Sequence, residues 1–281
     1  MNYDWFKDKI KSTAKATGIP AAILYRSFIM ERFLDRVAKS QYKENFILKG
    51  GMLIASMVGF NNRMTMDIDA TIQGSTVSVT EVRKMVEIII QADVADGIVF
   101  VLEQVEVIHE AGEYPGIRVA LTAKIDKLKQ PFKIDITAGD VVTPRAIEYS
   151  YKSLFNEETI NILAYNLETI LAEKLETVLI RNIANTRLRD FYDIYMLCHI
   201  YGHQCDAKVF REAFKRTAKF RGSLNNINEF AEGWLLEIKS SNTLQQAWKN
   251  YARKNPYAQD LSFEDTLNSV SKLYKLLERK E

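Results

Sequence analysis

The chain is short of the residues that staple folds or build soft-metal centres. It has two cysteines, Cys198 and Cys205, and three histidines in 281 residues. Two cysteines exclude a disulfide framework and a four-ligand zinc site, and three histidines make a His-rich metal centre a poor fit. A reducing, cytoplasmic setting is the expectation. No run of 18 or more apolar residues occurs, so no membrane span is expected. The opening stretch MNYDWFKDKIKSTAKATG is charged and amphipathic and lacks a continuous apolar segment, so it does not read as a secretory signal. Internal repeats and low-complexity tracts are missing as well. So is an excess of one charge: 38 Lys and Arg stand against 36 Asp and Glu, and the net charge of +2 decides nothing about partners. Any basic surface has to come from local clustering.

The composition is that of a globular chain, with 47% apolar and 26% charged residues. The length suffices for one large or two modest domains with real cores. Residues 4–16 and 20–39 read as amphipathic helices separated by Gly18-Ile19-Pro20. Asn45 to Leu48 reads as a short buried strand ended by Gly50-Gly51, and Met52 to Val58 as a helix. Met66 to Ile72 alternates, with Asp67, Asp69 and Thr71 on one face and Met66, Ile68, Ala70 and Ile72 on the other, as a strand does. Thr80 to Gln91 is a helix candidate. Residues 98–108, 117–125 and 132–137, rich in Val and Ile, read as three strands. The order implies a mixed sheet with helices on it, an α/β or α+β layer structure. From about residue 155 the pattern turns helical: 166–183, 187–201, 206–220, 226–239, 241–254 and 262–280, with Asn166 able to cap the first. This gives two expected regions, 1–155 and 156–281, with the helical part packed on the sheet.

Three features bear on chemistry. Lys49-Gly50-Gly51 joins a strand to a helix. Glycines there let backbone approach a phosphate, and the helix start offers free N–H groups, although paired glycines are also common in plain turns. Asp67-Ile68-Asp69 sets two carboxylates on one face, where their repulsion is unfavourable unless a cation sits between them. Hard oxygen ligands suit Mg²⁺ (or Mn²⁺), which also takes substrate phosphates, while the bland alternative is a solvated strand edge. Asp135, alone between Ile134 and Ile136, is either a salt-bridge partner or a third metal ligand, as a two-metal site requires.

The order strand, Gly-Gly, helix, then an Asp-x-Asp strand, then a single-Asp strand resembles the nucleotidyltransferase fold of the DNA polymerase β superfamily. The resemblance implies an α+β fold: a mixed sheet with helices, followed by an all-helical C-terminal region. It further implies phosphate binding at Gly50 and Gly51 and metal binding by Asp67, Asp69 and Asp135. Many members carry Ser or Thr at or after the glycines, where this chain has Met52. Phosphate contact would then rest on backbone N–H groups, with Lys49 or Arg63 assisting. Arg63 and Thr65 lie just before the acidic pair, and a guanidinium fork suits phosphate oxygens. The alternative for Arg63 is a solvated loop residue.

The second half narrows the family. Tyr165-Asn166-Leu167-Glu168-Thr169-Ile170-Leu171-Ala172-Glu173-Lys174-Leu175 is followed by Asn185-Thr186-Arg187-Leu188-Arg189-Asp190-Phe191-Tyr192-Asp193-Ile194. With Lys-Gly-Gly and the segment from Arg63 to Asp69, these stretches resemble the AbiEii/AbiGii toxin family of nucleotidyltransferases over residues 20–200 or so. The resemblance implies a toxin of a bacterial toxin–antitoxin or abortive-infection system, active in phage defence. It implies that a nucleoside triphosphate donates its nucleotidyl group to RNA, in studied relatives the 3′ end of tRNA, which blocks translation. It also implies that Lys174 contacts nucleotide phosphates, that Asp190 belongs to the active site, and that a separately encoded antitoxin exists, with direct contact left open. By spacing alone, Lys174 can equally pair with Asp190 or Asp193 and join two helices.

Residues 207–221 hold Lys208, Arg211, Lys215, Arg216, Lys219 and Arg221 against one acid, Glu212. Such a stretch is a candidate RNA-phosphate surface or simply a solvated face. The stripe Leu267, Val270, Leu273, Tyr274 and Leu277 reads as core packing rather than an antitoxin-docking surface. Other acceptors, a protein or small-molecule hydroxyl, and a non-catalytic nucleotide-binding role stay open from the sequence.

Overall fold

The structure is a computed structural model and describes residues 3–74, 77–108, 116–155 and 158–278. The chain forms two compact units: Met1–Gly139 with Ala146–Ala164, and Asp140–Arg145 with Tyr165–Glu281.

The first unit runs α1 (Tyr3–Thr17), α2 (Ala21–Lys39), β1 (Phe46–Lys49), α3 (Gly50–Val58), β2 (Ile68–Ile72), α4 (Val79–Ile90), β3 (Val99–Ile108), β4 (Gly116–Ile125), β5 (Leu128–Ala138), β6 (Ile147–Lys152) and β7 (Thr159–Ala164). The seven strands form one sheet in the order β3-β4-β5-β2-β1-β7-β6. The β2–β5 and β1–β7 pairs are parallel and the others antiparallel. This is the expected mixed sheet.

Alternation decides which face is buried. Leu48, Ile68, Ala70, Ile134, Ile136, Val119 and Leu121 are all buried and share one face through the register of β1, β2, β5 and β4. Helix α2 packs on that face. The Phe33 ring lies 6.3 Å from Phe46, 6.0 Å from Phe100 and 6.0 Å from Phe132. One buried ion pair fixes α2 to the segment before β3: both Arg36 guanidinium nitrogens donate to the Asp96 carboxylate at 2.8 Å. The same guanidinium sits 4.6 Å from the Phe100 ring centre, a cation–π contact. Helix α4 starts on a serine N-cap, with the Ser78 hydroxyl accepting from the Glu81 N–H at 3.2 Å.

Three details depart from the sequence expectations. The strand expected from Met66 begins at Ile68, and Asp67 lies on a bend before it. The reason is pairing: β1 ends at Lys49, opposite Asp69, because Gly50 already opens α3, and β5 meets β2 only from Ile134 on. Met66 and Asp67 therefore have no neighbouring strand to bond, and Met66, expected on the apolar face, is exposed. The strand expected over 132–137 starts earlier, at Leu128, and runs through Pro131. Pro131 faces Thr122 of β4 at a place that β2 does not reach, so its missing N–H breaks no ladder there. Strands β6 and β7 were not expected at all. Both belong to the first unit, β7 lies parallel beside β1, and β6 closes that side of the sheet.

The second unit holds α5 (Leu167–Arg181), α6 (Leu188–Tyr201), α7 (Ala207–Phe220), α8 (Leu224–Ser240), α9 (Asn242–Lys254) and α10 (Phe263–Glu278). Asn166 caps α5 as expected: its side-chain oxygen accepts from the Thr169 N–H at 2.8 Å, and its amide donates to the Thr143 carbonyl at 2.7 Å. On α10, Leu267, Val270 and Leu273 are buried, which is core packing. Among the described residues no helix is long and apolar enough to cross a membrane. The basic stretch is narrower than its sequence suggests. Lys208, Lys215, Arg216 and Lys219 are exposed, but Arg211 donates to the Leu276 carbonyl at 3.3 Å. Arg221 turns inward and pairs with Glu176 at 2.7 Å and Glu173 at 3.4 Å.

Candidate active site

On the face of the sheet opposite α2, one row of residues crosses four strands. Lys49 of β1 stands opposite Asp69 of β2, Asp69 beside Asp135 of β5, and Asp135 opposite Arg118 of β4. Cross-strand neighbours on one face stand about 5 Å apart at Cβ, so two acids meet in the middle of the row with a cation on each flank.

The diglycine turn is shaped around this row. Gly50 adopts φ +64°, and a Cβ added there would come within 2.0 Å of the Asp69 Oδ2. Any side chain at position 50 collides with the carboxylate. Gly51 is a second close approach: an added Cβ would lie 2.6 Å from the Thr65 Oγ1. The Gly51 N–H donates to Asp69 Oδ2 at 3.1 Å. The backbone N–H of Gly51 at the start of α3 thus faces the acid, the kind of donor that an anion-binding helix start uses.

Thr65 is buried, and its hydroxyl lies 3.3 Å from both the carbonyl and the carboxylate Oδ1 of Asp67, holding the bend. Arg63 is not a solvated loop residue. It is 1% exposed, lies under Gly51, and donates to the Met64 carbonyl.

Asp69 is the strained member electrostatically. Its carboxyl is pushed above the usual carboxylate range, first by burial and next by the Asp67 charge. The Gly51 hydrogen bond and Lys49 oppose the rise, and Asp135 adds to it. Among the described residues Asp69 makes no ion pair. Asp135, by contrast, is gripped at both oxygens: Arg118 Nε donates to Oδ1 at 2.8 Å and Nη2 to Oδ2 at 2.7 Å. The salt-bridge reading of Asp135 and its place in the acidic row therefore hold together.

The donors suit a divalent ion in kind, all hard oxygens, and in charge, since Asp67 and Asp69 set like carboxylates side by side and a cation between them would relieve the repulsion that raises the Asp69 pKa. Among the described residues, however, no three His, Cys, Asp or Glu side chains stand grouped as a ready-made centre. The fit is therefore best for Asp67 and Asp69, and Asp135 is available only where Arg118 yields an oxygen.

Arg118 is the residue that sequence reasoning missed. The signal was present. Asp126-Lys127 makes a two-residue turn between Ile125 and Leu128, and counting back from it pairs Arg118 with Asp135.

Lys174 and Asp190 lie in the second unit, in a cluster of their own. Lys174 Nζ, on α5, is 2.7 Å from Asp190 Oδ1 and 2.7 Å from Asp193 Oδ2, both on α6. Arg187 Nε donates to the other Asp190 oxygen at 2.9 Å. Burial alone would lower the Lys174 pKa, but the two carboxylates and their hydrogen bonds outweigh it and the net shift is upward. The ammonium stays charged.

A family model described as nucleotidyl transferase AbiEii toxin, type IV toxin–antitoxin system, matches residues 32–269. The chain belongs to this family. It is thus an AbiEii nucleotidyltransferase, of a family that supplies toxins to type IV toxin–antitoxin systems. No curated protein matches it in sequence. Among solved structures, a candidate nucleotidyltransferase from H. pylori superposes with a TM-score of 0.51 at 16% identity, covering 92% of this chain and 98% of that one. JHP933 from Helicobacter pylori gives 0.46 at 17% identity, covering 91% and 93%. The first likeness supports the fold of the AbiEii chain.

Proposed function

We propose that this AbiEii nucleotidyltransferase transfers a nucleoside monophosphate from a triphosphate to RNA, at the 3′ acceptor end of tRNA, and so stops translation. The observation that carries the reading is the row Lys49–Asp69–Asp135–Arg118 with the diglycine turn built against Asp69. Asp67 and Asp69 would hold Mg²⁺ or Mn²⁺, with Asp135 as the third acid. The ion would supply charge neutralisation for the triphosphate and acidify the acceptor hydroxyl. Lys49 and the N–H groups at the start of α3 would orient phosphates. Lys174, buried and cationic, is the second-unit candidate for the same task, with Asp190 holding it in place. The exposed cations Lys208, Lys215, Arg216 and Lys219 of α7 would take RNA backbone. The cytoplasm is the compartment that the RNA substrate requires.

The test is transfer of label from each of the four α-³²P triphosphates to total RNA, and separately to total protein, with divalent metal present and then chelated. Label on RNA that vanishes with chelator and in the Asp69→Ala variant is the expected result. Label on protein instead, or full activity of that variant, would overturn the reading. A gene for a separate antitoxin beside this one would support the toxin role.

A further inference from the structure

We infer that a cavity in the helical unit binds an unstacked nucleotide of single-stranded RNA; the inference rests on the RNA-acceptor reading and gives it a second contact. The cavity lies between α8, α9 and α10 and measures about 810 Å³. That is within the range of sites for nucleotide-sized ligands, roughly 300–1,000 Å³.

Its inner wall is apolar and aromatic. Trp248 and Phe263 are buried with ring centres 5.9 Å apart, and Leu267 lies beside them. The Trp248 indole, 3% exposed, is held by donating to the Leu261 carbonyl at 2.9 Å, so the part of the wall it forms is fixed. A rigid aromatic wall suits a planar base, whichever base it is.

The rim is cationic. Lys239 of α8 and Lys249 and Arg253 of α9 line the mouth, opposed by one acid, Glu264. All three cations are exposed. Among the described residues Lys239 and Lys249 make no ion pair, and Arg253 makes only a 3.3 Å contact to the Asn250 side-chain oxygen. These charges are uncommitted, unlike Lys174 and Arg221 of the same unit. Two lysines on different helices beside an aromatic wall would serve the phosphates on either side of one base. An acidic peptide would satisfy the lysines but leave the aromatic wall unused.

The experiment uses the full chain. In a Trp5→Phe, Trp234→Phe background, Trp248 is the one remaining indole. A 12-nucleotide single-stranded RNA should quench its emission. The Lys239→Glu, Lys249→Glu double variant, confined to exposed side chains, should weaken binding of the labelled oligonucleotide about tenfold. Its salt dependence should also flatten by roughly 1.4 in the log–log slope, as expected for two lost single-strand phosphate contacts. Asn268→Trp, which fills the mouth without altering charge, should weaken binding to a similar extent and leave the slope unchanged. Binding unmoved by both variants, or Trp248 emission indifferent to RNA, overturns the site. Quenching by a free mononucleotide but not by the oligonucleotide overturns the RNA assignment. Failure of the RNA-acceptor reading looks different: the unsubstituted chain then labels no RNA, whatever Trp248 reports.

Discussion

Two clusters in this chain bring acids and cations together, and they are settled differently. In the helical unit, Lys174 meets Asp190 and Asp193 at 2.7 Å each, and Arg187 takes the remaining Asp190 oxygen. Every buried charge there is matched. On the sheet, Arg118 matches Asp135, but Asp69 beside it makes no ion pair: one backbone donor and the Lys49 charge oppose burial and two like-charged neighbours, and the net shift is still upward. A matched cluster can hold a fold together by itself. An unmatched one lowers stability until something positive arrives, which marks the sheet row rather than the helix pair as the place that waits for a ligand.

The comparison can be broken most forcefully at Asp69. Asp69→Asn should cut nucleotidyl transfer by about three orders of magnitude, on the order of 4 kcal/mol of barrier. The same change should leave the fold as stable or raise its melting temperature at pH 7, because it removes a buried charge and keeps an acceptor for Gly51. The sign follows from the raised carboxyl. A group that holds its proton more tightly when folded favours the fold below its ordinary pKa and loses that advantage as pH rises through the folded value. The substitution should therefore help most above that range. A lower melting temperature at neutral pH would mean that Asp69 is as well matched as Asp190.

Lys174→Met tests the other cluster. It takes the Lys174 cation from buried Asp193 and leaves Asp190 with Arg187, and should destabilise by about 3–5 kcal/mol in urea unfolding. Adding Asp193→Asn should recover part of that loss. If recovery of stability also restores transfer, Lys174 is purely structural; activity that stays lost assigns it to the nucleotide. Since the Lys174 pKa is raised, the stabilisation it brings holds below the ordinary lysine pKa and goes only as the solution passes the higher folded value. Urea midpoints should then be insensitive to this pair from pH 6 to about 10.

A smaller effect is expected at Arg118, which is partly exposed. Arg118→Ala should cost about 1 kcal/mol of stability. It frees both Asp135 oxygens, so Mn²⁺ should bind more tightly by calorimetry. Arg118→Lys, which keeps the charge without the fork, should fall between. Unchanged Mn²⁺ affinity would remove Asp135 from the ion's ligands. The smallest effect concerns thiol chemistry. Burial pushes Cys198 up to about 11, and burial with nearby Glu168 pushes Cys205 up to about 12. Both should react with iodoacetamide at pH 8 more slowly than free cysteine, with little loss of activity.

Most of the fold was legible because its signals are local. Helices from α4 to α10 follow from apolar period and caps such as Asn166, and β4 from its content of Val and Ile. What escaped depends on partners remote in sequence. Strands β6 and β7 are strands because β7 lies beside β1, over a hundred residues away, and nothing within Thr159–Ala164 announces that neighbour. Asp67 reads as strand by alternation, yet Gly50 withdraws the strand that would have paired with it. Two acids of the row, Asp69 and Asp135, were readable on their strands, while Asp67 falls on the bend outside it. Lys49 on one flank was readable beside the glycines, but Arg118 on the other was not, because it joins the row only through the register of the β4–β5 hairpin. Of the two readings open for Arg63, the solvated one falls for a simpler reason: a polar loop suggests solvent, whereas this one folds its arginine beneath a glycine.

The crowding at Gly50 makes two positions of the primary structure hostage to each other. A bulkier residue at 50 can be housed only by a variant that has already shed the carboxylate at 69, so the two changes should be recovered together in a mutational screen and the first seldom alone. A descendant that abandons catalysis would gain the freedom to remodel this turn, and a filled position 50 would be the visible scar of that loss.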